Sequence, residues 1–544
     1  MNRSAASSSV LRCQLSRLAA LAVAALLLAM LGFPSLSAFP AFFVEDDAWF
    51  YLQIGYHLGT LGRSTFDGIH TTSGYHLGWA GLLGLTAAAT AIVSASKQLF
   101  LLVAIAVYFF LALITVECFG RTLIEKAALL FFVFYPGLFM ESQLLALLLL
   151  AVVHFFLAGK KSPWADAAMA LVPLVRVDAT VMLAPLAAYH LCRRDWERFG
   201  KACLFTGLGL ALHFGLMLAA FGRLASVSSL LKSDWSSQMG MAQIARLNVE
   251  RFGRSELAVF VVLLGMALVA AWALWRREKR VQGSGSGAGC RRTFDGEALK
   301  VLAVVAGPAA FVLIHAAVNP VMRTWYFSPA LFVLALVLMR VSETDGATFA
   351  GRRCETEAGK PGQSPARRSA APPLSWAADP RSLRKAFLVL VCLLAVRETR
   401  NAYYFILDDA ATLRAERTAL FLDDVRRIVP PGEPIFQVDG AGYTGFFAGR
   451  PIVNGDGLMN DYDYLERLKA DGLADYLREN RIRYVITNSP IQGPEIIRQH
   501  GLVLEREDVD NMAESGVCEP YRAFVLWRVR ESYFAAEARE EPTE

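Results

Sequence analysis

Apolar segments long enough to cross a bilayer recur from the N-terminus to about residue 400 of this 544-residue chain. Crossing about 30 Å of hydrocarbon takes roughly 20 residues of helix, because the backbone must satisfy its hydrogen bonds within the segment. The chain is 55% hydrophobic, above the usual balance of a soluble protein. The sequence therefore predicts a polytopic α-helical membrane protein with a single soluble part.

Charges between the apolar segments predict the orientation. Basic clusters occur at Arg121/Lys126, Lys160/Lys161, Arg193 to Arg198, Arg276 to Arg292, and Arg352 to Lys385. The positive-inside rule makes all of these loops cytoplasmic. That assignment holds only if the segment from Leu77 to Ser94, rich in Gly, Ala and Thr, lies in the outer interface and does not cross the membrane. We therefore predict about eleven spans, with a cytoplasmic N-terminus and an outer tail.

The two ends of the chain differ in character. Leu18 to Phe39 is predicted to be an uncleaved anchor, with a cleavable signal peptide as the alternative. In the tail, Ala411 to Val429 is an amphipathic helix ended by two prolines, and Glu433 to Asp439 and Arg483 to Asn488 resemble strands. The predicted domains are a transmembrane domain at 1–397, whose first outer loop covers 39–98, and a small extracytoplasmic α/β domain at 398–544.

The first outer loop holds the densest polar chemistry. Asp46 and Asp47 directly follow an apolar segment, where ionisable groups commonly mark a functional site. Either carboxylate could simply cap the helix that starts there, but an ionised carboxylate at a membrane-edge cavity also suits a general base. Tyr75 and His76 are candidate substrate-binding residues, although an interfacial aromatic turn would look the same.

Later outer turns supply further ionisable residues on the predicted outer side. Their members are Glu141, Arg176, Asp178, Lys232 and Arg323. An intramembrane ion pair that fixes helix register would also explain Glu141, Arg176 and Asp178. Convergence on one face instead predicts a site, in which the cations would bind a phosphate.

Several function classes are disfavoured by the sequence. It has no phosphate-binding GxxxxGK[ST], no GxGxxG after a strand, no HExxH and no suitably placed GxSxG. The net charge of +5 reflects the cytoplasmic loops and does not indicate nucleic-acid binding. The eight cysteines are scattered without metal-ligand spacing. We predict no metal and no cofactor.

The first loop resembles that of the GT-C superfamily of membrane glycosyltransferases, which includes protein O-mannosyltransferases and the aminoarabinose transferase of lipid A. The resemblance rests on DDAWFYLQI (46–54), FDG (66–68) and TSGYHLGW (72–79). Looser matches are the turn ending at Glu141, the RVD turn of Arg176 and Asp178, the outer-loop Lys232, and Trp325 with Tyr326. Two residues depart from the family's pattern. Leu77 stands where the family usually has proline after the histidine, and Val177 replaces the proline of its usual Arg-Pro-Asp.

The resemblance implies an inverting transfer of a sugar from a polyprenyl-phosphate donor to an envelope acceptor, on the outer face of a bacterial inner membrane. Asp46 would take the acceptor's proton with Asp47 beside it, and Lys232, Arg176 and Arg323 would stabilise the leaving phosphate. Tyr75, His76, Glu141, Asp178 and Trp325 would contact substrate. The alternatives are a transporter or flippase of lipid-linked saccharides and a non-catalytic envelope scaffold.

Overall fold

The structure is a computed structural model that describes residues 46–134, 139–283, 296–341, 380–406, 409–488, 494–515 and 524–535. The predicted N-terminal anchor, Leu18 to Phe39, lies outside the described residues.

Helices dominate the chain up to residue 406. In order they are α1 (Asp46–Leu61), α2 (Leu77–Ala91), α3 (Lys97–Phe119), α4 (Leu123–Phe134), α5 (Ser142–Leu157), α6 (Pro163–Val175), α7 (Ala184–Cys192), α8 (Trp196–Phe221), α9 (Val227–Ser237), α10 (Met241–Phe252), α11 (Glu256–Gly283), α12 (Glu297–Val318), α13 (Ser328–Val341) and α14 (Pro380–Ile406). Short 3₁₀ turns at Val177–Met182 and Thr324–Tyr326 precede α7 and α13.

Five of the described segments are helical, long and apolar enough to cross a membrane. They are Lys97–Phe119, Trp196–Phe221, Glu256–Arg276, Glu297–Val318 and Thr324–Val341. The mainly helical, multi-pass membrane character predicted from the sequence is therefore confirmed. The number eleven stays a prediction, as does the interfacial position of α2, a helix of 15 residues.

Burial separates central from peripheral helices. Every residue of α13 is buried, as a helix that is apolar on all sides requires. By contrast, α8 exposes Leu204, Leu208, Leu212 and Leu216 at four-residue spacing, which places them on one face of the helix. That face has the composition expected of a surface in contact with lipid.

The chain continues as a mixed helical and sheet region. Its elements are α15 (Asp409–Ile428), β1 (Ile435–Gln437), α16 (Ala441–Phe447), β2 (Ile452–Asn454), α17 (Tyr462–Lys469), α18 (Leu473–Glu479), β3 (Tyr484–Asn488), β4 (Glu495–Gln499), β5 (Leu502–Glu505), β6 (Val509–Glu514), β7 (Phe524–Val529) and α19 (Glu531–Ala535). The main sheet has the order β2-β1-β3-β7-β6; β1 is parallel to both neighbours, and the other pairs are antiparallel. Helix α14 runs through the boundary predicted at residue 398.

The short helix α16 joins this region to the membrane part. Its N-cap residue Gly440 has no side chain to bind the free backbone N–H groups, and the Asp46 carboxylate accepts from those of Gly442 and Tyr443 at 3.1 and 3.0 Å. At the other end, Lys97 Nζ donates to the Phe446 carbonyl at 2.8 Å. An anion at the helix start and a cation at its end both stabilise a helix. The first loop is thus fixed to the C-terminal region.

Candidate functional site

A cavity of about 420 Å³ opens where the first loop, α9, α12 and the C-terminal region meet. Its described lining includes Asp47, Tyr51, Tyr75, His76, Glu141, Asp178, Lys232, His315, Trp325, Tyr326, Leu458 and Met459. Both signs of charge therefore share one space. Sequence positions hundreds of residues apart contribute to it, as expected for a binding site built between helices.

Helix α9 presents one face to this cavity. Ser229, Lys232, Ser233 and Ser236 all line it, and their spacing of three and four residues puts them on the same side of a helix. Ser226 caps the helix by accepting from the N–H of Ser229. The result is a cation flanked by hydroxyl groups that can all hydrogen-bond to a polar ligand.

The position of α9 depends on contacts with the first loop and the tail. Ser73 accepts from the N–H of Val227 at 3.1 Å, and its hydroxyl donates to Tyr462 at 3.0 Å. The Tyr462 hydroxyl in turn donates to the Ala225 carbonyl at 2.7 Å. Gly74 is required here, because a Cβ would lie 1.9 Å from the Leu458 carbonyl oxygen. Lys232 is therefore held in place by two distant segments of the chain.

Arg176 forms a buried charge network beside the cavity. It donates to Glu141 Oε1 at 2.9 Å and to both oxygens of Asp178 at 2.9 to 3.2 Å. His315 Nε2 lies 2.8 Å from Asp178 Oδ2, and the guanidinium lies 3.9 Å from the centre of the Tyr326 ring. The guanidinium is 1% exposed. Two carboxylates of the cavity are thus fixed by one cation.

A strained turn places Glu141. Phe139 has φ of 63°, in the left-handed region that a bulky side chain rarely adopts, and its carbonyl accepts from Trp79 Nε1 at 3.1 Å. Glu141 Oε1 is bound by Arg176, while Oε2 is buried with no hydrogen-bond partner among the described residues. A buried carboxylate oxygen that accepts nothing is costly, so a ligand donor would stabilise it.

The two aspartates of the first loop face different surroundings. Asp46 binds the start of α16 and is not among the described residues that line the cavity, whereas Asp47 lines it. The sequence-based expectation that Asp46 is the base stays a prediction; in the structure both of its oxygens already accept backbone N–H groups. The geometry makes Asp47 the carboxylate that a ligand can reach.

Charge and burial act on Asp47 in opposite directions. Burial raises the pKa of Asp47, while the nearby cations Lys232 and Arg323 lower it. The net shift is upward, which brings the carboxylate closer to the range in which a general base works well at neutral pH. Burial lowers the pKa of His76 to about 4, so this imidazole is neutral at pH 7 and its 3.6 Å contact with Glu141 is not an ion pair.

The predicted site residues are mostly brought together. Those that line the cavity are Asp47, Tyr75, His76, Glu141, Asp178, Lys232 and Trp325. Arg176 is buried behind Glu141, and Arg323 acts on Asp47 electrostatically without lining the cavity. Sequence reasoning missed Tyr51, His315 and the serines of α9. The three- and four-residue spacing around Lys232 was the one signal that would have revealed the serines.

Burial of Asp456, next to the cavity-lining Leu458, predicts a pH-dependent stability. Burial raises the pKa of Asp456 from 3.8 to about 7. The folded state then holds this proton more tightly than the unfolded state, so the contribution of Asp456 to stability is greatest below about pH 4 and falls as pH rises towards 7. We expect the unfolding temperature in detergent to drop by several degrees between pH 5 and 8, and Asp456→Asn to reduce that drop. Exposed Asp475→Asn is the control; an unchanged slope in Asp456→Asn would contradict the assignment.

No protein-family model and no curated protein matches the chain. Among solved structures it is similar to ArnT from Cupriavidus metallidurans bound to undecaprenyl phosphate, with 13% identity, a TM-score of 0.42, and coverage of 94% of this chain and 98% of that chain. The apo form of the same protein gives 13% identity, a TM-score of 0.41, and coverage of 95% and 98%. Both likenesses have 13% identity and a TM-score below 0.5, so they carry no argument about the family or the activity of this chain. The chemistry of this chain has to rest on its own cavity.

The described residues contain no group of three His, Cys, Asp or Glu side chains arranged to hold a metal ion. The absence of a metal and of a cofactor stays a prediction.

Proposed function

We propose that this protein is an inverting glycosyltransferase that moves a sugar from a polyprenyl-phosphate donor to a hydroxyl acceptor of the cell envelope. The observation that carries the proposal is the sharing of one cavity by Asp47 and Lys232. Such a transfer needs a base for the acceptor and positive charge for the phosphate that leaves. The sequence resemblance to GT-C enzymes supports the same reaction.

Asp47 takes the role of base. It lines the cavity, whereas the Asp46 carboxylate is bound to the backbone N–H groups of Gly442 and Tyr443. An acceptor hydroxyl placed beside it would lose its proton to the carboxylate as the new bond forms. Asp46 then has a positioning role, since its bonds to the start of α16 fix the first turn of α1, on which Asp47 lies.

Lys232 and Arg323 stabilise the leaving phosphate. Lys232 lines the cavity, and both cations lie close enough to Asp47 to lower the pKa of its carboxylate. A phosphate that departs carries its own stabilised negative charge, so it needs cations and no proton donor. Preorganised charge of this kind is commonly the largest catalytic contribution.

The remaining polar lining suits a sugar. Glu141 Oε2 has an unused acceptor site among the described residues, and the α9 serines supply hydroxyls to the same cavity. Trp325 and Tyr326 add aromatic surface to the lining. A sugar ring offers several hydroxyl donors and acceptors together with an apolar face, and this lining matches both.

The proposed step balances in one displacement. The acceptor oxygen bonds to the anomeric carbon of the sugar while the bond from that carbon to the phosphate oxygen breaks. The electron pair leaves on the phosphate, and the proton of the acceptor goes to Asp47. The products are the glycosylated acceptor and the polyprenyl phosphate. We place the reaction on the outer face of the inner membrane, following the predicted orientation.

The test is transfer of radiolabelled sugar by purified protein in liposomes that contain polyprenyl-phosphate sugars and an envelope lipid extract. The proposal expects labelled product and free polyprenyl phosphate in equal amounts. A transporter would instead move the intact lipid-linked sugar between leaflets, which a membrane-impermeant lectin detects. Flipping without any loss of the sugar–phosphate bond would overturn the proposal.

Replacement of Lys232 should slow the chemical step. We expect Lys232→Gln to lower kcat by roughly 10² to 10³, since one preorganised charge at the leaving group is lost. Lys232→Arg keeps a cation and should recover part of the activity. The control is Arg246→Gln on the neighbouring helix, an exposed residue paired with Glu250. Equal kcat for Lys232→Gln and Arg246→Gln would remove Lys232 from the mechanism.

A further inference from the structure

A second cavity, of about 70 Å³, lies between α5, α6, α7 and α8. Helix α5 follows directly on Glu141 of the candidate site and ends at Leu157 beside this second cavity. Its 16 residues span about 24 Å at 1.5 Å per residue. Helix α6 runs back from Pro163 to Val175, next to Arg176. The two cavities therefore lie at opposite ends of α5 and α6.

The charged lining of the second cavity is mainly basic. Its charged residues are Lys160, Lys161, Arg198, Lys201 and Asp166. Glu197, just outside, lies 2.5 Å from Lys161 and 3.3 Å from Lys201. Lys160 is exposed and has no ion pair within the described ranges. An excess of positive charge thus remains for an anion.

A largely buried imidazole, that of His190, also lines this cavity. His190 lines the cavity with its side chain 10% exposed, and its Nδ1 has no hydrogen-bond partner in the described part of the chain. The nearest carboxylate oxygen, of Asp195, is 3.5 Å away. The imidazole adds a polar ring to a lining whose other polar groups are mainly cationic.

The surroundings have the composition of a bilayer interface. Trp164 and Trp196, near the starts of α6 and α8, are 75% and 62% exposed. Indoles of this kind are enriched at headgroup depth, where a ring can be half in lipid and half in water. Phe155, Phe156 and Met169 form an apolar wall beside the cations.

The apolar surface continues away from the cavity. The exposed leucine face of α8 begins at Leu204, one turn after Lys201, and continues along the helix to Leu216. An acyl chain can lie along such a face while its headgroup stays at the cations. A free phosphate ion would make no use of that face or of the aromatic wall.

We propose that this second cavity binds an anionic phospholipid, with its phosphate between Lys160, Lys201 and His190 and an acyl chain along the leucine face of α8. Basic residues at cytoplasmic helix ends are general and by themselves specify no ligand. Here they close on a cavity that also has a largely buried imidazole and an apolar wall, beside exposed indoles and an exposed leucine face. Basic pockets between membrane helices are a known way of holding anionic headgroups.

The test compares the double variant Lys160→Gln/Lys201→Gln with the matched variant Lys279→Gln/Lys385→Gln, whose lysines are exposed and away from the cavity. Purified protein in neutral detergent is titrated with phosphatidylglycerol, phosphatidylcholine or inorganic phosphate. The unfolding temperature and native mass spectrometry are the readouts. We expect only phosphatidylglycerol to stabilise the wild type, and the cavity variant to bind it roughly tenfold more weakly.

Three results would overturn the proposal. They are equal stabilisation by phosphatidylcholine, full stabilisation by inorganic phosphate, and an unchanged phosphatidylglycerol response in the cavity variant. If the double variant does not purify as folded protein, Lys160→Glu alone replaces it, at an exposed position. The sugar-transfer assay is independent of this outcome, since the two cavities share no lining residue.

Discussion

Asp47→Asn should lower kcat for sugar transfer by roughly 10² to 10⁴, because the acceptor's proton then has no base to receive it. The asparagine keeps the shape of the side chain and removes only the charge and its basicity. Binding of the polyprenyl-phosphate product should not weaken, since Lys232 and Arg323 lose a neighbouring anion that competes for them. Single-turnover transfer from a labelled donor, together with product binding, measures both quantities.

Asp46→Asn is the matched control, because it makes the same chemical change one residue earlier. Its carboxylate holds the N–H groups of Gly442 and Tyr443, and an amide can accept only one of them well. We expect a loss of thermal stability with kcat reduced much less than in Asp47→Asn. The opposite order, with Asp46→Asn inactive and Asp47→Asn active, would return the role of base to Asp46.

Arg176→Met should destabilise the protein by about 3–5 kcal/mol, since it leaves the buried carboxylate of Glu141 and the partly buried one of Asp178 without their cation. Loss of the stack on Tyr326 would add to this effect. The measurement is the midpoint of thermal or denaturant unfolding in detergent.

The control for Arg176→Met is Arg246→Met, which breaks an exposed ion pair with Glu250. Such a pair contributes about 0.3–0.5 kcal/mol, so that variant should unfold close to the wild type. A triple variant that replaces Arg176, Glu141 and Asp178 by apolar residues should recover part of the lost stability, while remaining inactive. Equal stability of the two single methionine variants would show that the buried network does not hold the bundle.

Much of the local structure is predictable because its causes are local. The helix expected at Ala411 to Val429 corresponds to α15, and the first strand expected in the tail contains β1. Glu141, Arg176 and Asp178 could be expected on one side of the membrane because charge in the connecting loops fixes which helix ends lie together. Their mutual contacts then follow from the cost of burying charges without partners.

The different surroundings of Asp46 and Asp47 have a non-local cause and could not be predicted. The cause is α16, which lies about 400 residues further along the chain and whose first N–H groups donate to Asp46 and not to Asp47. The position of α9 in the cavity wall also depends on distant parts of the chain, because Ser73 and Tyr462 bind the start of that helix from two separate segments. Composition and spacing carry no information about such contacts.

The most direct measurement is a cryo-electron microscopy structure of the protein in nanodiscs with added polyprenyl phosphate. The account predicts phosphate density inside the cavity of about 420 Å³, within hydrogen-bonding distance of Lys232 Nζ and on the same side as Asp47. Phosphate density at another place on the protein, with this cavity filled only by water, would contradict it.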